Sequence, residues 1–385
     1  MNTETTAYDF EDIRPLNNDE VPQAIKELVN DQAFKDGLKV IMPGIDYEEL
    51  AKQMLASKTK EEFKATFSYN AVMAVAKQTA FSLTISGRSR LPENPCTFIS
   101  NHRDIVLDVA FLNVLMYDVG HGLTQVAIGD NLLVRPWIKT LVRLNNSFIV
   151  KRNVPMRQML ETSKTLSAYI HHTIKETKES LWIAQREGRA KDSDDRTQNS
   201  VLKMLNLGGT GDILTNLRSL NIVPISISYE YDPCDYLKAK EFQQKRIQPD
   251  FQKSPYDDLI SMRTGILGYK GRVHFTICDP LDPQISTLDP KMEKNELYSA
   301  IAHAIDLQIF KYYRFYPCNY IAYDWLNGTR RFNGHYSLKD KKEFEEYVQK
   351  QLDKIDLPEK DDVFLRTKML EMYSNPLKNN LTYAD

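Results

Sequence analysis

From residue 81 onward, short β-rich runs alternate with longer runs of helical periodicity, and this alternation limits the possible folds more than any other feature. The predicted strands are Phe81–Ser86, Thr97–Ser100, Thr124–Ile128, Phe148–Lys151, Leu181–Gln185, Ile222–Tyr229 and Val273–Cys278. The helices predicted between them are Ile105–Met116, Arg135–Arg143, Met156–Lys178 and Thr197–Met204. Such alternation is typical of an α/β sheet covered by helices.

The regions on either side of this alternation carry helical patterns alone. Apolar residues recur at three- and four-residue spacing in Glu20–Asn30 and Tyr47–Leu55, and helices are again predicted beyond Pro290. We therefore expect an N-terminal helical region over residues 1–80, an α/β domain over 81–290 and a C-terminal helical region over 291–385. Residues 236–270 are polar and interrupted by prolines, and they are predicted to be a surface excursion.

Composition excludes several classes of protein. The 385 residues include 50 basic and 52 acidic side chains, so bulk charge does not favour a nucleic-acid partner. Any anionic partner must instead be held by a local basic site. The four cysteines are far apart and lack zinc-ligand spacing, which predicts buried thiols in a reducing compartment and no metal site.

The sequence contains no pattern expected of a membrane-spanning helix. No uncharged apolar run reaches the roughly 18 residues that cross a bilayer, and the nearest, Tyr69–Ser86, is interrupted by Lys77. The segment Met1–Arg14 is acidic and polar, unlike a signal peptide. These features predict a cytoplasmic protein that meets membranes, if at all, at their surface.

The most informative stretch places Asn101-His102 directly after a predicted apolar strand and just before a helix. A histidine at such a turn lies at the sheet edge where ligands of α/β folds bind. Asp104 and Asp108 both follow closely, and either carboxylate can fix the imidazole tautomer and raise its basicity. A His-Asp pair without a neighbouring Ser or Cys suits direct activation of a substrate hydroxyl. The alternative interpretation is a capping or core histidine beside ordinary helix-start aspartates.

Two further strands end in charged residues. The first predicted strand ends at Lys151, and Arg152 follows it. The second is followed by Glu187-Gly188-Arg189 and, two residues later, by Lys191. Arginine has a planar fork suited to phosphate, and glycine lets the backbone approach a ligand closely. Taken singly, the first stretch is better explained as a solvated basic strand end, and the alternative interpretation of the second is a charged surface turn.

A fourth stretch, Ile222–Glu230, completes an ordered set. The four stretches, in this order, resemble the four sequence blocks of the glycerol-3-phosphate and 1-acylglycerol-3-phosphate O-acyltransferase superfamily, with a resemblance that extends over roughly residues 81–285. The resemblance implies a mixed sheet flanked by helices and an acyltransferase of phospholipid synthesis, in a divergent bacterial branch. The segment Pro224–Glu230 is more similar to the glycerol-3-phosphate branch than to the lysophosphatidate branch.

The resemblance also implies a role for each residue. His102 is expected to be the general base and Asp108, or alternatively Asp104, its partner. The residues expected to hold the acceptor's phosphate and glycerol are Lys151, Arg152, Glu187, Gly188, Arg189 and Lys191. Acyl-CoA or acyl-carrier protein is expected as co-substrate, with no cofactor and no metal. The enzyme is expected to be peripheral at the inner face of the membrane. An acyl chain needs an apolar channel, and residues 69–81 and 132–144 are candidates to line it or to lie in the membrane interface. Helices packed into the core are an equally good interpretation of these two segments.

Two departures from the family pattern keep alternatives open. The family spaces its histidine four residues before its aspartate, whereas here Leu107 occupies that position and Asp108 is one residue late. The third block also lacks the residue that usually separates Glu-Gly from Arg. The acceptor therefore remains open between glycerol-3-phosphate and a lysolipid, such as lysophosphatidate or a lyso-amino-acid lipid. A non-catalytic homologue that binds acyl groups or a partner is the third hypothesis.

Overall fold

The computed structural model describes residues 8–122, 124–152 and 154–384. Half of the acidic segment Met1–Arg14 therefore lies outside the described residues, as does the start of the region predicted over 1–80. Within the described residues, the chain forms one seven-stranded sheet, covered by helices on both faces and extended by helices at both ends.

The sheet confirms the predicted alternation. Its strands are β1 (Ala80–Ser86), β2 (Thr97–Ser100), β3 (Thr124–Gly129), β4 (Ser147–Val150), β5 (Ser180–Ala184), β6 (Ile222–Tyr229) and β7 (Gly271–Ile277). They are ordered β1-β7-β6-β2-β5-β3-β4, with β6 and β7 antiparallel and the other neighbouring pairs parallel. The sheet is therefore mixed, and strands β2 to β6 all end at the same edge.

Buried side chains on both faces of the central strands explain why their sequences are continuously apolar. In β2, Phe98 packs in the hydrophobic cluster on one face and Ile99 in the cluster on the other, as the period of a strand requires. In β5, Trp182 and Ile183 likewise pack in the clusters on opposite faces of the sheet. Helices cover both faces, so polar loops are confined to the sheet edges.

The helices around the sheet are close to those predicted. They are α6 (Leu107–Asp118), α7 (Pro136–Leu144), α8 (Met156–His172), α9 (Asn199–Asn206) and α10 (Ile213–Arg218). The five that precede them are α1 (Val21–Asn30), α2 (Gln32–Ile41), α3 (Tyr47–Ala56), α4 (Lys60–Phe63) and α5 (Tyr69–Thr79). The carboxylate of Asp46 accepts from the N–H groups of Glu48 and Glu49, which caps α3.

The prediction of a surface excursion over 236–270 was wrong. This segment forms two helices, α11 (Asp235–Ile247) and α12 (Pro255–Leu267). The buried side of α11 is largely polar, because Lys238, Glu241 and Gln243 are all buried there. A helix that buries polar groups lacks the apolar periodicity by which a sequence reveals it.

The C-terminal helices pack against the sheet and against α11. They are α13 (Asp282–Ser286), α14 (Lys294–Lys311), α15 (Pro317–Asn327), α16 (Leu338–Leu352) and α17 (Asp362–Ala384). The Ser226 hydroxyl of β6 donates to the Ile309 carbonyl of α14 at 2.8 Å. No helix in the described part of the chain is long and apolar enough to cross a membrane.

Candidate active site

The loop between β2 and α6 is fixed to the neighbouring strand by Asn101. Its amide oxygen accepts from the N–H of Ile227 at 2.8 Å, and its amide nitrogen donates to the Ile227 carbonyl at 2.9 Å. Asn101 is completely buried, so these bonds are shielded from competing water. The Asn101 side chain thus extends the hydrogen-bond ladder of β6. These bonds fix the position at which the chain leaves the sheet, just before His102.

His102 is hydrogen-bonded to Asp108. Nδ1 of the imidazole lies 2.8 Å from Oδ2 of the carboxylate, which is completely buried in the first turn of α6. The same oxygen accepts from the backbone N–H groups of Arg103 and Asp104 at 2.6 and 3.0 Å. When the carboxylate accepts this bond, Nδ1 carries the proton of a neutral imidazole, and the lone pair of Nε2 is left free.

Asp104 has a different task. Its Oδ1 accepts from the N–H groups of Val106 and Leu107 at 2.9 and 2.8 Å, which caps the start of α6. Burial, and then the nearby charge of Asp108, raise the pKa of this carboxyl. Asp104 therefore bonds only to the backbone at the start of α6, whereas Asp108 bonds both to the loop backbone and to the imidazole. The extra residue between His102 and Asp108 is accommodated within this capped turn.

A buried ion pair lies behind the loop. The Arg103 guanidinium donates to Asp195 at 2.5 Å, and both side chains are almost fully buried. The guanidinium also lies over the ring of Tyr313, 5.6 Å from its centroid. Lys238, paired with Asp232, donates to the Arg103 carbonyl at 3.4 Å. Sequence reasoning missed these partners, because they come from segments far from His102 along the chain.

The exposed side of His102 opens into a cavity of about 960 Å³. One part of this cavity, the apolar compartment, is lined from α2, α5, α7 and the turn before α5 by Phe34, Phe67, Val72, Val75, Trp137 and Leu141. This is where the sequence predicted a channel, over 69–81 and 132–144. An apolar compartment of this size suits an acyl chain.

The other part of the cavity, the cationic end, is lined by Arg152, Arg186, Arg189, Lys191 and Lys253. Nη1 of Arg189 and Nε of Arg186 are buried and have no hydrogen-bond partner among the described residues. An unpaired buried guanidinium nitrogen is costly unless a ligand satisfies it. The cationic end is therefore suited to an anion.

The predicted acceptor-binding residues differ in how closely they face this end. Nη1 of Arg152 lies 4.0 Å from Oε1 of the exposed Glu187. Gly188 adopts a φ of 67°, in the left-handed region that favours glycine. Lys151 also borders the cavity, but its ammonium is paired with the exposed Asp12 at 3.0 Å.

Lys191 belongs to a cluster around Glu241 of α11. The nearly buried carboxylate contacts Lys191, and it lies 2.9 Å from Lys245 and 3.0 Å from Lys253. Burial, followed by the charges of neighbouring cations, lowers the pKa values of Lys191 and Lys253. Three lysines thus share one carboxylate, and the lowered pKa values reduce the positive charge that Lys191 and Lys253 carry in the absence of an anionic ligand. Sequence reasoning missed Lys253 because it assigned residues 236–270 to a surface excursion.

Comparison with known proteins agrees with these features. A sequence model of the Acyltransferase family matches residues 82–228, which contain β2 to β5, most of β1 and β6, the pair His102 and Asp108, and the arginines of the cationic end. No curated protein matches the chain significantly. Among solved structures, the crystal structure of the 1-acyl-sn-glycerophosphate (LPA) acyltransferase PlsC from Thermotoga maritima is similar over 75% of this chain and 94% of that chain. The identity is 12% and the TM-score 0.33.

The matched region and the sequence blocks lead to the same family. The match begins at residue 82, where the resemblance was expected to begin, and contains the first three blocks together with most of the fourth. Residues 82–228 therefore match the Acyltransferase family, in the region where the sequence blocks resemble the glycerol-3-phosphate and 1-acylglycerol-3-phosphate O-acyltransferase superfamily.

Proposed function

We propose that the protein transfers a fatty acyl group from acyl-CoA or acyl-carrier protein to a hydroxyl of a glycerol-3-phosphate-type acceptor. One observation carries the proposal. A single cavity joins an apolar compartment, the partly buried imidazole of His102 and a cationic end. These three parts match the acyl chain, the reacting hydroxyl and the phosphate of the two substrates.

In the proposed reaction, Nε2 of His102 takes the proton of the acceptor hydroxyl as its oxygen attacks the thioester carbonyl. Asp108 stabilises the resulting imidazolium through the 2.8 Å hydrogen bond at Nδ1. The carbon–sulfur bond then breaks, and the imidazolium returns the proton to the leaving thiolate. The products are the acyl ester and the free thiol, with His102 again neutral.

The acceptor's phosphate would occupy the cationic end. Arg189 and Arg152 are the predicted ligands, and the buried, unpaired nitrogens of Arg189 and Arg186 support this placement. Arginine holds phosphate through paired N–H groups, and the lysines add charge without fixed direction. Glu187 and Gly188 border the same end and would receive the glycerol. Lys151 would contribute less, because Asp12 already pairs with its ammonium.

The hydrogen bond between His102 and Asp108 also bears on the third hypothesis. A homologue that only binds acyl groups has no need of an imidazole with a fixed tautomer and an open Nε2. The arrangement therefore favours an active enzyme over a fold kept for binding. A membrane-peripheral enzyme at the inner face, as the sequence suggested, remains part of this proposal.

The proposal is tested by acyl transfer with the purified protein. Donors are acyl-CoA and acyl-carrier protein, and acceptors are glycerol-3-phosphate, lysophosphatidate and a lyso-amino-acid lipid. Wild type is compared with His102→Ala and with His172→Ala, an exposed histidine outside the cavity, as matched control. We expect ester formation on glycerol-3-phosphate that falls by about 10²–10⁴-fold in His102→Ala alone.

Other results would revise the proposal in different ways. Product with a lysolipid and none with glycerol-3-phosphate would keep His102 as the base and replace the acceptor. Equal turnover by wild type and His102→Ala would contradict the proposed mechanism altogether.

A further inference from the structure

Helix α8 begins with an apolar stripe that no described part of the chain covers. Met156, Met159 and Leu160 lie three and four residues apart, so they share one face of the helix. Their exposed fractions are 87%, 54% and 59%. Apolar residues at this spacing usually face a core, as Leu166 and Ile170 do further along the same helix. The exposure of the first turns therefore calls for an external partner.

The stripe lies at the edge of the substrate cavity. Met159 lines that cavity together with Thr162 and Ser163 of the same helix. The loop after β3 borders it too, since Leu132 lines the cavity and Val134 is 39% exposed. The Arg152 N–H donates to Asp130 at 3.1 Å, which joins this loop to the segment leading into α8. The apolar surface is thus continuous with the lining of the cavity.

Positive side chains surround the stripe. Arg157 is exposed within the first turn of α8, and Arg135 is exposed beside Val134. Lys164 follows one turn after Leu160, whereas Glu161 is the one acidic residue among positions 156–164. An apolar stripe with basic residues at its rim is the arrangement of a helix that lies in a membrane interface. The basic rim adds attraction to anionic headgroups.

We propose that this surface, the lipid-docking face (Val134, Met156, Met159 and Leu160 with Arg135 and Arg157), rests on an anionic phospholipid bilayer. The inference deepens the proposed function, on which it rests, by naming the surface that delivers the acyl chains. Acyl chains would move between bilayer and apolar compartment along Met159 without crossing water. An acidic carrier protein is the alternative partner, since it would pair with the two arginines. A bilayer fits better, because the centre of the face is apolar and its cations lie at the rim.

The test measures binding of the full-length protein to sedimenting vesicles. Vesicles of phosphatidylcholine with phosphatidylglycerol are compared with vesicles of phosphatidylcholine alone. The variant Met156→Gln/Leu160→Gln changes two stripe residues that do not line the cavity. The matched control, Leu338→Gln/Val363→Gln, changes residues that are 87% and 79% exposed on the C-terminal helices.

We expect wild type to prefer the anionic vesicles and the stripe variant to bind them at least about tenfold more weakly. The control should bind like wild type. Absence of vesicle binding by wild type, equal binding by the stripe variant, or equal losses in the control would each overturn the proposal. So would binding to immobilised acyl-carrier protein, without binding to vesicles, that the stripe substitutions abolish.

A parallel assay keeps this inference separate from the proposed function. Turnover of glycerol-3-phosphate with a water-soluble, short-chain acyl-CoA needs no membrane. Wild type and the stripe variant should be equally active in it. Absence of turnover in both would count against the proposed function, whereas vesicle binding reports on the docking face alone.

Discussion

The loop that carries His102 and the cationic end of the cavity are held in different ways. Asn101, Asp104 and Asp108 fix the loop through bonds to backbone groups and to the imidazole, although Oδ1 of Asp108 has no partner among the described residues. The cationic end leaves buried nitrogens of Arg186 and Arg189 without partners in the described structure. A preorganised loop suits a group that acts in the transition state, and an incomplete end suits a group that awaits its ligand.

The largest effect is expected at the centre of the loop. Asp108→Asn keeps the shape of the side chain but removes the charge that orients the imidazole and stabilises its protonated form. We expect kcat to fall by about 10²–10⁴-fold, with little change in KM for the acceptor. Steady-state kinetics with both substrates varied would measure this. A kcat within twofold of wild type would show that His102 does not depend on Asp108.

The next largest effect is expected at the cationic end. Arg189→Ala removes a guanidinium whose Nη1 is buried and unpaired. Loss of a charge-assisted contact to phosphate should raise KM for the acceptor by about 10–100-fold, at nearly constant kcat. Titration of initial rates against acceptor concentration tests this. An unchanged KM would remove Arg189 from the binding site.

Lys253 offers a sharper test of the same end. Both Lys253 and Lys245 contact Glu241, but only Lys253 lines the cavity. Lys253→Ala should raise KM for a phosphorylated acceptor by about 3–10-fold, because an exposed or half-buried ammonium contributes modestly. Lys245→Ala, the matched control, should leave KM unchanged. Equal effects of the two substitutions would mean that both lysines act only through their structural contact with Glu241, and that Lys253 does not contact the acceptor.

The smallest effect on activity is expected at Asp104. Asp104→Ala removes the cap of α6 and should lower the free energy of unfolding by about 1–2 kcal/mol. The kcat should stay within about tenfold of wild type, since Asp108 still bonds to Nδ1. Denaturant unfolding measured alongside kinetics would separate the two roles. A loss of kcat as large as that of Asp108→Asn would make Asp104 part of the catalytic pair.

The same contrast explains what the sequence could predict. The strands, the α/β class and the position of His102 follow from local periodicity, and the structure has all seven predicted strands. The partner of His102 did not follow from spacing, because Asp104 and Asp108 are both in reach along the chain. Only the turn, in which Asp104 bonds to Val106 and Leu107, leaves Asp108 for the imidazole.

The cationic end was harder to predict, because it combines distant segments. Arg152 follows β4, whereas Glu187 and Arg189 follow β5, and all three were found because they come shortly after predicted strands. Lys253 lies between α11 and α12, and the buried polar face of α11 gives no apolar periodicity to indicate a helix. Asp195 and Tyr313, which surround Arg103, reach it only through the tertiary fold.

In the proposed mechanism, His102 with Asp108 activates the acceptor hydroxyl, while the cationic end binds the acceptor's phosphate. The most direct test measures kcat and KM for glycerol-3-phosphate in Asp108→Asn and Arg189→Ala side by side, at saturating acyl donor. We predict that the first variant loses kcat at nearly constant KM, and that the second gains KM at nearly constant kcat. If both variants changed the same parameter by similar factors, the division between the two regions would be contradicted.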